Sequence, residues 1–118
     1  MTDRAEEARL PAHVEVGGLL RRVQQEGGFA TVLHKGEPQA GTILLVLTDG
    51  GAGQRAWERM PQADGARRWA LARSEAPGEA QAFAEWLERR QRQDPDLWIV
   101  ELDIPQAERF IPGTPFAG

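Results

Sequence analysis

The stretch Ile43-Leu-Leu-Val-Leu47 constrains the fold more than any other part of the sequence. Five consecutive apolar residues leave no side of a strand for water, so a strand built from them must be covered on both faces. Gly41 precedes the run, and the turn-forming cluster Asp49-Gly-Gly-Ala-Gly53 follows it. We therefore predict a central strand over residues 41–48, with a tight β-turn after it rather than a phosphate-binding loop.

Two segments have the helical periodicity needed to cover such a strand. Residues 12–26 place apolar side chains three and four positions apart, and Gly27-Gly28 ends that helix. A second helix follows Gly78 and stops near Gln93, because the residue before Pro95 is pushed out of helical geometry. The predicted apolar faces are Val16, Leu19, Leu20 and Val23 in the first helix, and Ala80, Phe83, Ala84, Trp86 and Leu87 in the second.

The remaining β-rich segments complete the fold prediction. Residues 29–34 and 41–48 flank a Gly/Pro loop and predict a hairpin; residues 54–60, 67–73 and 97–102 predict three further strands. The order α-β-β-β-β-α-β indicates an α+β layered domain with a mainly antiparallel sheet covered by two amphipathic helices, its last strand returning in parallel beside an earlier one. Leu44, Val46, Leu87 and Ile99 are expected to be deeply buried.

The composition along the chain predicts the domain limits and the cellular compartment. We expect one domain over residues 10–104, a frayed charged tail over residues 1–9, and a short turn with a Pro/Gly-rich tail over residues 105–118. The N-terminus lacks the apolar stretch of a signal peptide, and no apolar run is long enough to span a bilayer. These features predict a cytoplasmic protein.

Residues that commonly act as nucleophiles or metal ligands are scarce in this sequence. The chain has no cysteine, which removes disulfides, thiolate metal sites and cysteine nucleophiles. His13 and His34 lack a metal-site spacing, and Ser74, the only serine, lies outside a nucleophile motif. We therefore predict no metal and no cofactor, and we favour a role other than catalysis.

Arginine and tryptophan are the residue types most suggestive of recognition. All but one of the 14 basic residues are arginines, and four tryptophans stand in 118 residues. This composition suits stacked or bidentate recognition of acids, phosphates or protein surfaces, although it also suits ordinary packing and codon bias. The net charge of −4 disfavours nucleic acid and anionic membranes as partners.

Four segments in this order resemble a known family. They are Leu20-Arg-Arg22, Gly28-Phe-Ala30, Ala40-Gly-Thr-Ile-Leu44 and, most distinctive, Asp94-Pro-Asp-Leu-Trp-Ile-Val-Glu101. Over roughly residues 10–103 the chain is similar to the small alphaproteobacterial domain-of-unknown-function family 1491. The resemblance implies a stand-alone bacterial domain, and it assigns no activity and no catalytic residue.

Two functional hypotheses follow. The first is a non-catalytic binding or protein-interaction module that acts through a sheet edge or an arginine-bearing face. The alternative is a small-anion-binding protein or enzyme, and its candidate contact residues are Arg21, Arg22, Asp94, Asp96 and Trp98. A homodimer is compatible with either hypothesis. For the Asp94–Trp98 block we expect a structural role first, with Trp98 packed under the first helix and Arg21 or Arg22 within reach of Asp94 or Asp96.

Overall fold

Two α-helices and five strands make up the described part of the chain, which comprises residues 10–61, 63 and 67–111 of a computed structural model. In chain order the elements are α1 (Ala12–Gln25), β1 (Phe29–His34), β2 (Ile43–Asp49), β3 (Ala52–Pro61), β4 (Arg67–Ser74), α2 (Ala80–Gln93), β5 (Trp98–Asp103) and a short 3-10 helix (Ala107–Phe110). This order confirms the predicted α+β class. The predicted tail at residues 1–9 lies outside the described residues, as does the end of the C-terminal tail from residue 112 onward.

The strands form one sheet in the order β1-β5-β2-β3-β4. β5 runs parallel to β2, and the other three strand pairs are antiparallel. The mainly antiparallel sheet with a parallel last strand is therefore confirmed. β2 lies at the centre of the sheet, where the five-residue apolar run predicted a central strand.

The predicted hairpin between β1 and β2 is wrong, because β5 lies between the two strands. Their connecting loop crosses the beginning of β5 instead of making a tight turn. The loop can do so because it is long enough to span the width of two strand spacings, roughly 10 Å. Adjacency in sequence favoured the hairpin, whereas the pairing is decided by a strand more than 60 residues further along the chain.

The tight turn predicted after β2 is present. Gly50 and Gly51 have φ values of 68° and 82°, and the flanking residues Asp49 and Ala52 face each other across the β2–β3 hairpin. Two consecutive positive φ values are the hallmark of the type I′ turn, whose twist matches that of the strands it joins. The glycines are therefore used for hairpin geometry.

The sheet is covered on both faces, as the apolar run requires. On one face α1 buries Val16, Leu19 and Val23 against the odd-numbered residues of β2 and the even-numbered residues of β5. On the other face Phe83 of α2 is 1% exposed and packs against Leu44, Val46, Ala56, Leu97 and Ile99. The sheet is thus the middle layer of three.

Helix α2 is less deeply buried than the sequence predicted. Leu44, Val46 and Ile99 are at most 2% exposed, as expected, but Leu87 is only partly buried beside Phe83. Ala80 and Ala84, which we placed on the apolar face, are exposed. Phe83 is the one fully buried residue of the helix, and Trp86 and Leu87 pack partly buried beside it, whereas the two small residues stay in water.

The core extends further along the chain than residue 104, where we expected the domain to end. Ala107, Phe110 and Ile111 are at most 7% exposed and belong to the cluster under α1. Residues 105–111 are therefore part of the packed domain.

Candidate functional site

The Asp94–Trp98 block is held by the loop that joins β1 to β2. The Glu37 backbone N–H donates to the Asp96 carbonyl at 3.0 Å, and the Trp98 backbone N–H donates to the Thr42 carbonyl at 2.8 Å. The indole Nε1 of Trp98 donates to the Glu37 carbonyl at 2.8 Å, and the Nδ1 of His34 lies 2.7 Å from the Leu97 carbonyl. The backbone and side-chain polar groups of the two segments are thus hydrogen-bonded to each other.

Two glycines allow this loop to approach the block closely. A Cβ atom at Gly36 would lie 2.1 Å from the Asp96 carbonyl oxygen, and one at Gly41 would lie 2.4 Å from the same atom. Both separations are far inside van der Waals contact, so neither position has room for a side chain. The Ala40-Gly-Thr segment and the Asp-Pro-Asp-Leu-Trp segment therefore touch in the fold.

The same loop also caps α1. The backbone N–H groups of Ala12 and His13 donate to the carbonyls of Gln39 and Pro38 at 3.0 and 2.9 Å. These are orphan donors of the first helical turn, which have no partner inside the helix. The loop thus fixes α1, β2 and β5 relative to one another.

Asp94 and Trp98 have local structural partners. Asp94 ends α2, and its Oδ1 accepts the backbone N–H of Asp96 at 3.1 Å. Trp98 is 4% exposed and packs in the cluster that α1 covers, together with Val100 and Leu102. The block is therefore built into the fold, and the exposed carboxylate of Asp96 is its outward-facing group.

The structure does not bring Arg21 and Arg22 to this block. α1 begins beside the loop that holds Asp96, and both arginines lie in its last two turns, at the far end of the helix. Among the described residues neither arginine forms an ion pair with Asp94 or Asp96. The five candidate contact residues therefore occupy two separate regions.

Arg22 borders a cleft of about 390 Å³ at the end of α1, which Glu26, Arg109, Phe110 and Ile111 also line. Arg109 donates to Glu26 at 2.5 Å, and its guanidinium lies 4.5 Å from the centre of the Phe110 ring. Because Glu26 neutralises Arg109, the net charge of the residues that line the cleft is the single positive charge of Arg22. That is a weak electrostatic basis for binding a small anion.

Other arginines pair with glutamates between elements. Arg59 donates to both carboxylate oxygens of Glu15 at 3.0 and 2.9 Å, which joins β3 to α1. Arg90 donates to both oxygens of Glu58 at 2.6 and 2.5 Å, which joins α2 to β3. Bidentate pairs of this kind fix geometry as well as charge. Much of the arginine content is thus used inside the fold.

Trp86 and Trp69 also stack with arginines of the domain itself. The guanidinium carbons of Arg73 and Arg90 each lie 5.8 Å from the Trp86 ring centre, and that of Arg59 lies 5.2 Å from the Trp69 ring centre. These distances are in the range of cation–π contacts. The arginine–tryptophan composition therefore has an internal structural use.

An apolar edge strand is the surface that sequence reasoning missed. β1 pairs with β5 on one side, and no described strand pairs with its other side, which we call the β1 edge. Phe29 is 72% exposed, Leu33 is 48% exposed and Val32 is 36% exposed. Thr31 between them is exposed as well. The sequence has apolar residues at both alternating positions of this strand, but the predicted hairpin did not identify which strands form the edges of the sheet.

The opposite edge differs in character. β4 contains Arg68 and Arg73 along with Leu71, which is 51% exposed. Charged side chains on an edge strand hinder pairing with a further strand. β1 has no charged side chain between Phe29 and Leu33. The two edges of one sheet therefore differ in their readiness to accept another strand.

Two carboxylates border the β1 edge on the face that α2 covers. Asp103 lies opposite Phe29 in the β1–β5 register, and Glu101 lies opposite Thr31. Burial raises the pKa of Glu101, and the neighbouring carboxylate of Asp103 raises it further. A ligand at this edge is therefore disfavoured if it places an acidic group on that face.

Comparisons with known proteins agree with the fold described above. The family model of DUF1491, a protein of unknown function, matches residues 10–112. The crystal structure of a DUF1491 family protein from Caulobacter crescentus CB15 has a TM-score of 0.74 and 33% identity, over 88% of this chain and 96% of that chain. An NMR structure of a DUF1491 family protein from the same organism has a TM-score of 0.72 and 33% identity, over 87% and 93%.

A further similar structure is the solution structure of protein Atu0922 from A. tumefaciens, with a TM-score of 0.71 and 31% identity, over 87% of this chain and 92% of that chain. No curated protein matches the sequence. Among the described residues, no helix is long and apolar enough to cross a membrane. The match over residues 10–112 includes the 3-10 helix and the four segments that carried the resemblance, and the chain belongs to the DUF1491 family.

Proposed function

We propose that the protein is a non-catalytic interaction module, located in the cytoplasm, that binds an extended segment of a protein at the β1 edge. The observation that carries the proposal is the exposure of Phe29, Leu33 and Val32 on an edge strand. An edge strand offers a row of unpaired N–H and C=O groups, and added strands bind through them. Exposed apolar side chains on both faces of the strand supply the contact area.

The chemistry of the surroundings defines the ligand. The added strand needs apolar side chains on both of its faces, because Val32 lies on the Val100 face of β1 and Phe29 lies on the Asp103 face. Glu101 and Asp103 disfavour acidic residues on the same face. The best ligand is thus an apolar strand without carboxylates, and a small anion would have no cation to bind along β1.

The structure offers a matched control on the opposite edge. Phe29→Lys places a charge on the β1 edge, and Leu71→Lys places the same charge on the β4 edge. Both side chains are at least half exposed, at 72% and 51%, so neither change disturbs a buried group. A difference in binding between the two variants therefore reports on the edge rather than on overall charge.

The experiment is a selection of random peptides of about 12 residues on the immobilised wild-type protein, followed by binding measurements on the three proteins. We expect selected peptides with runs of apolar residues, backbone amide NMR shifts concentrated at residues 29–34, and a loss of at least about tenfold in affinity for Phe29→Lys. Leu71→Lys should bind like the wild type. Peptides that bind Phe29→Lys as well as wild type, or shifts centred elsewhere, would contradict the proposal.

A further inference from the structure

We propose that residues 105–111, which we call the strap, move away from the sheet as one unit about Gln106 while the rest of the domain stays folded. The strap follows β5 and contains the 3-10 helix, which lies against α1 and β2. Its inner side consists of Ala107, Phe110 and Ile111, which are buried in the cluster under α1. The strap thus covers part of the core, and its opening exposes the apolar surface beneath it.

Gln106 has a backbone conformation that is unfavourable for a residue with a side chain. Its φ of 56° lies in the left-handed region, and among the described residues every other positive φ belongs to a glycine. A residue with a Cβ atom keeps such a φ only where surrounding contacts hold it there. When those contacts break, the backbone relaxes and the chain after Gln106 changes direction. Gln106 is therefore placed to act as the hinge of the strap.

The chain is bonded differently on the two sides of this hinge. The backbone N–H of Ile104 donates to the Thr48 carbonyl of β2 at 3.0 Å, so the chain is fixed to the sheet just before the strap begins. Within the strap, the N–H of Arg109 donates to the Gln106 carbonyl at 3.2 Å, which is a bond of the 3-10 helix itself. The hydrogen bond of Ile104 to the sheet can therefore remain when the strap leaves.

Two ion pairs join the strap to its neighbours. Glu108 accepts from two nitrogens of Arg55 on β3 at 2.5 and 3.0 Å, and Arg109 donates to Glu26 at the end of α1 at 2.5 Å. All four side chains keep some contact with water, which can replace each partner when a pair separates. The two pairs therefore oppose the opening of the strap without preventing it.

A cleft separates part of the strap from α1. The cleft has a volume of about 390 Å³, and three of its lining residues, Arg109, Phe110 and Ile111, belong to the strap. Arg22 and Glu26 at the end of α1 line it as well. Side chains beside a gap have fewer contacts than side chains that are packed on all sides. Opening is therefore favoured along this border of the strap.

Thiol labelling measures the opening, because the wild-type chain has no cysteine. Ala107 in the strap and Ala56 on β3 are both 0% exposed, so a cysteine at either position reacts only after an opening. With a chromogenic disulfide reagent, Ala107→Cys should react at least about tenfold faster than Ala56→Cys, because the strap opens without unfolding of the domain. Equal rates in the two variants would show that the strap opens only together with the rest of the domain, and would overturn the proposal.

Amide hydrogen exchange of the unmodified protein separates a strap from a chain that frays residue by residue. The N–H groups of Arg109 and Ile111 should exchange with one common opening constant, because a 3-10 helix of four residues does not persist without its contacts. The N–H of Ile104, which lies before the hinge, should exchange at least about tenfold more slowly. Opening constants that rise steadily from Ile104 to Ile111 would show fraying and would overturn the proposal.

Substitutions of Gln106 and Glu108 in the Ala107→Cys background test the hinge and the ion pair. Gln106→Gly removes the strain of the positive φ, so labelling should slow by about threefold or more. Glu108→Gln weakens the bonds to Arg55, so labelling should become about tenfold faster. Glu88→Gln is the matched control, because its pair with Arg92 is exposed, and it should leave the labelling rate unchanged.

The same variants can contradict the proposal. If labelling of Gln106→Gly is as fast as that of its parent or faster, the chain does not hinge at Gln106. If Glu108→Gln changes the labelling rate no more than Glu88→Gln does, the pair with Arg55 does not hold the strap closed. Either result overturns the strap as it is proposed.

Discussion

At the scale of single residues, Trp98 shows how one side chain joins three parts of the fold. Its ring is buried under α1, its indole N–H donates to the Glu37 carbonyl, and its backbone N–H donates to the Thr42 carbonyl. The Glu37 carbonyl also accepts the Gly41 backbone N–H at 3.2 Å, so the indole supplies one of its two hydrogen bonds. The polar atom of Trp98 therefore matters as well as its apolar area.

Replacing Trp98 with phenylalanine tests that point. Trp98→Phe keeps an aromatic ring but removes one of the two donors to the Glu37 carbonyl, so the free energy of unfolding should fall by about 0.5–1.5 kcal/mol in urea denaturation. Trp86→Phe is the control, because that ring is only partly buried and contacts arginines through its face. Equal losses in the two variants would mean that the indole N–H of Trp98 contributes nothing.

At the scale of elements, the β1–β2 loop and α2 show what positions the layers. The loop passes so close to Asp96 that Gly36 and Gly41 have no space for a Cβ atom. α2 instead contacts the sheet mainly through one residue, Phe83, with Leu87 partly buried beside it. The loop is therefore fixed by close backbone contact, and α2 by Phe83 together with the bidentate Arg90–Glu58 pair.

Two glycine-to-alanine changes should have opposite effects. Gly36→Ala places a Cβ atom 2.1 Å from the Asp96 carbonyl and should destabilise the protein by about 1–3 kcal/mol or more. Gly18→Ala, inside α1, should stabilise it by about 0.5–1 kcal/mol, because the new Cβ meets no atom within 4 Å other than its chain neighbours and the backbone of its own helix. Thermal melts of both variants provide the measurement, and a stable Gly36→Ala would show that the loop can move away from β5.

The two apolar residues of α2 should also differ. Phe83→Ala should cost about 3–5 kcal/mol in urea denaturation, since the ring is fully buried between helix and sheet. Leu87→Ala should cost less than about 2 kcal/mol, because the side chain already contacts water. The relative size of the two stability losses is the test. A larger loss for Leu87→Ala than for Phe83→Ala would mean that Phe83 does not mark the packing face of α2.

At the scale of the whole molecule, sequence reasoning succeeded where one local pattern is decisive. The apolar run in β2 predicted a central strand with cover on both faces, and the β-α-β order predicted the parallel return of β5. It failed for β1, because the insertion of β5 depends on contacts such as that of His34 with Leu97, 63 residues apart. It left open whether the arginines serve recognition or ordinary packing, because glutamate partners such as those of Arg90 and Arg109 lie 32 and 83 residues away.

Ion pairs between distant segments make the stability of the whole molecule depend on pH. Arg55 on β3 donates to both oxygens of Glu108 in the 3-10 helix, at 2.5 and 3.0 Å. Burial acts to raise the pKa of Glu108, but the bonds from Arg55 outweigh it, and the net pKa lies below the ordinary glutamate value. A lowered pKa means that this contribution is complete above the ordinary value and is lost as the pH falls through the folded-state value.

Glu108→Gln should therefore lower the melting temperature at about pH 7, and the difference from wild type should be smaller at about pH 3, below the ordinary glutamate pKa, where a larger fraction of Glu108 is protonated. Glu88→Gln is the matched control, because its pair with Arg92 spans 3.9 Å and both side chains are about 70% exposed. Exposed pairs contribute little to stability, so this variant should melt like wild type at both pH values. Differential scanning calorimetry of the three proteins at both pH values measures the two differences. If the melting temperature of Glu108→Gln lay equally far below that of wild type at both pH values, Glu108 would stabilise the fold through packing. Its charge would then not be what joins β3 to the 3-10 helix.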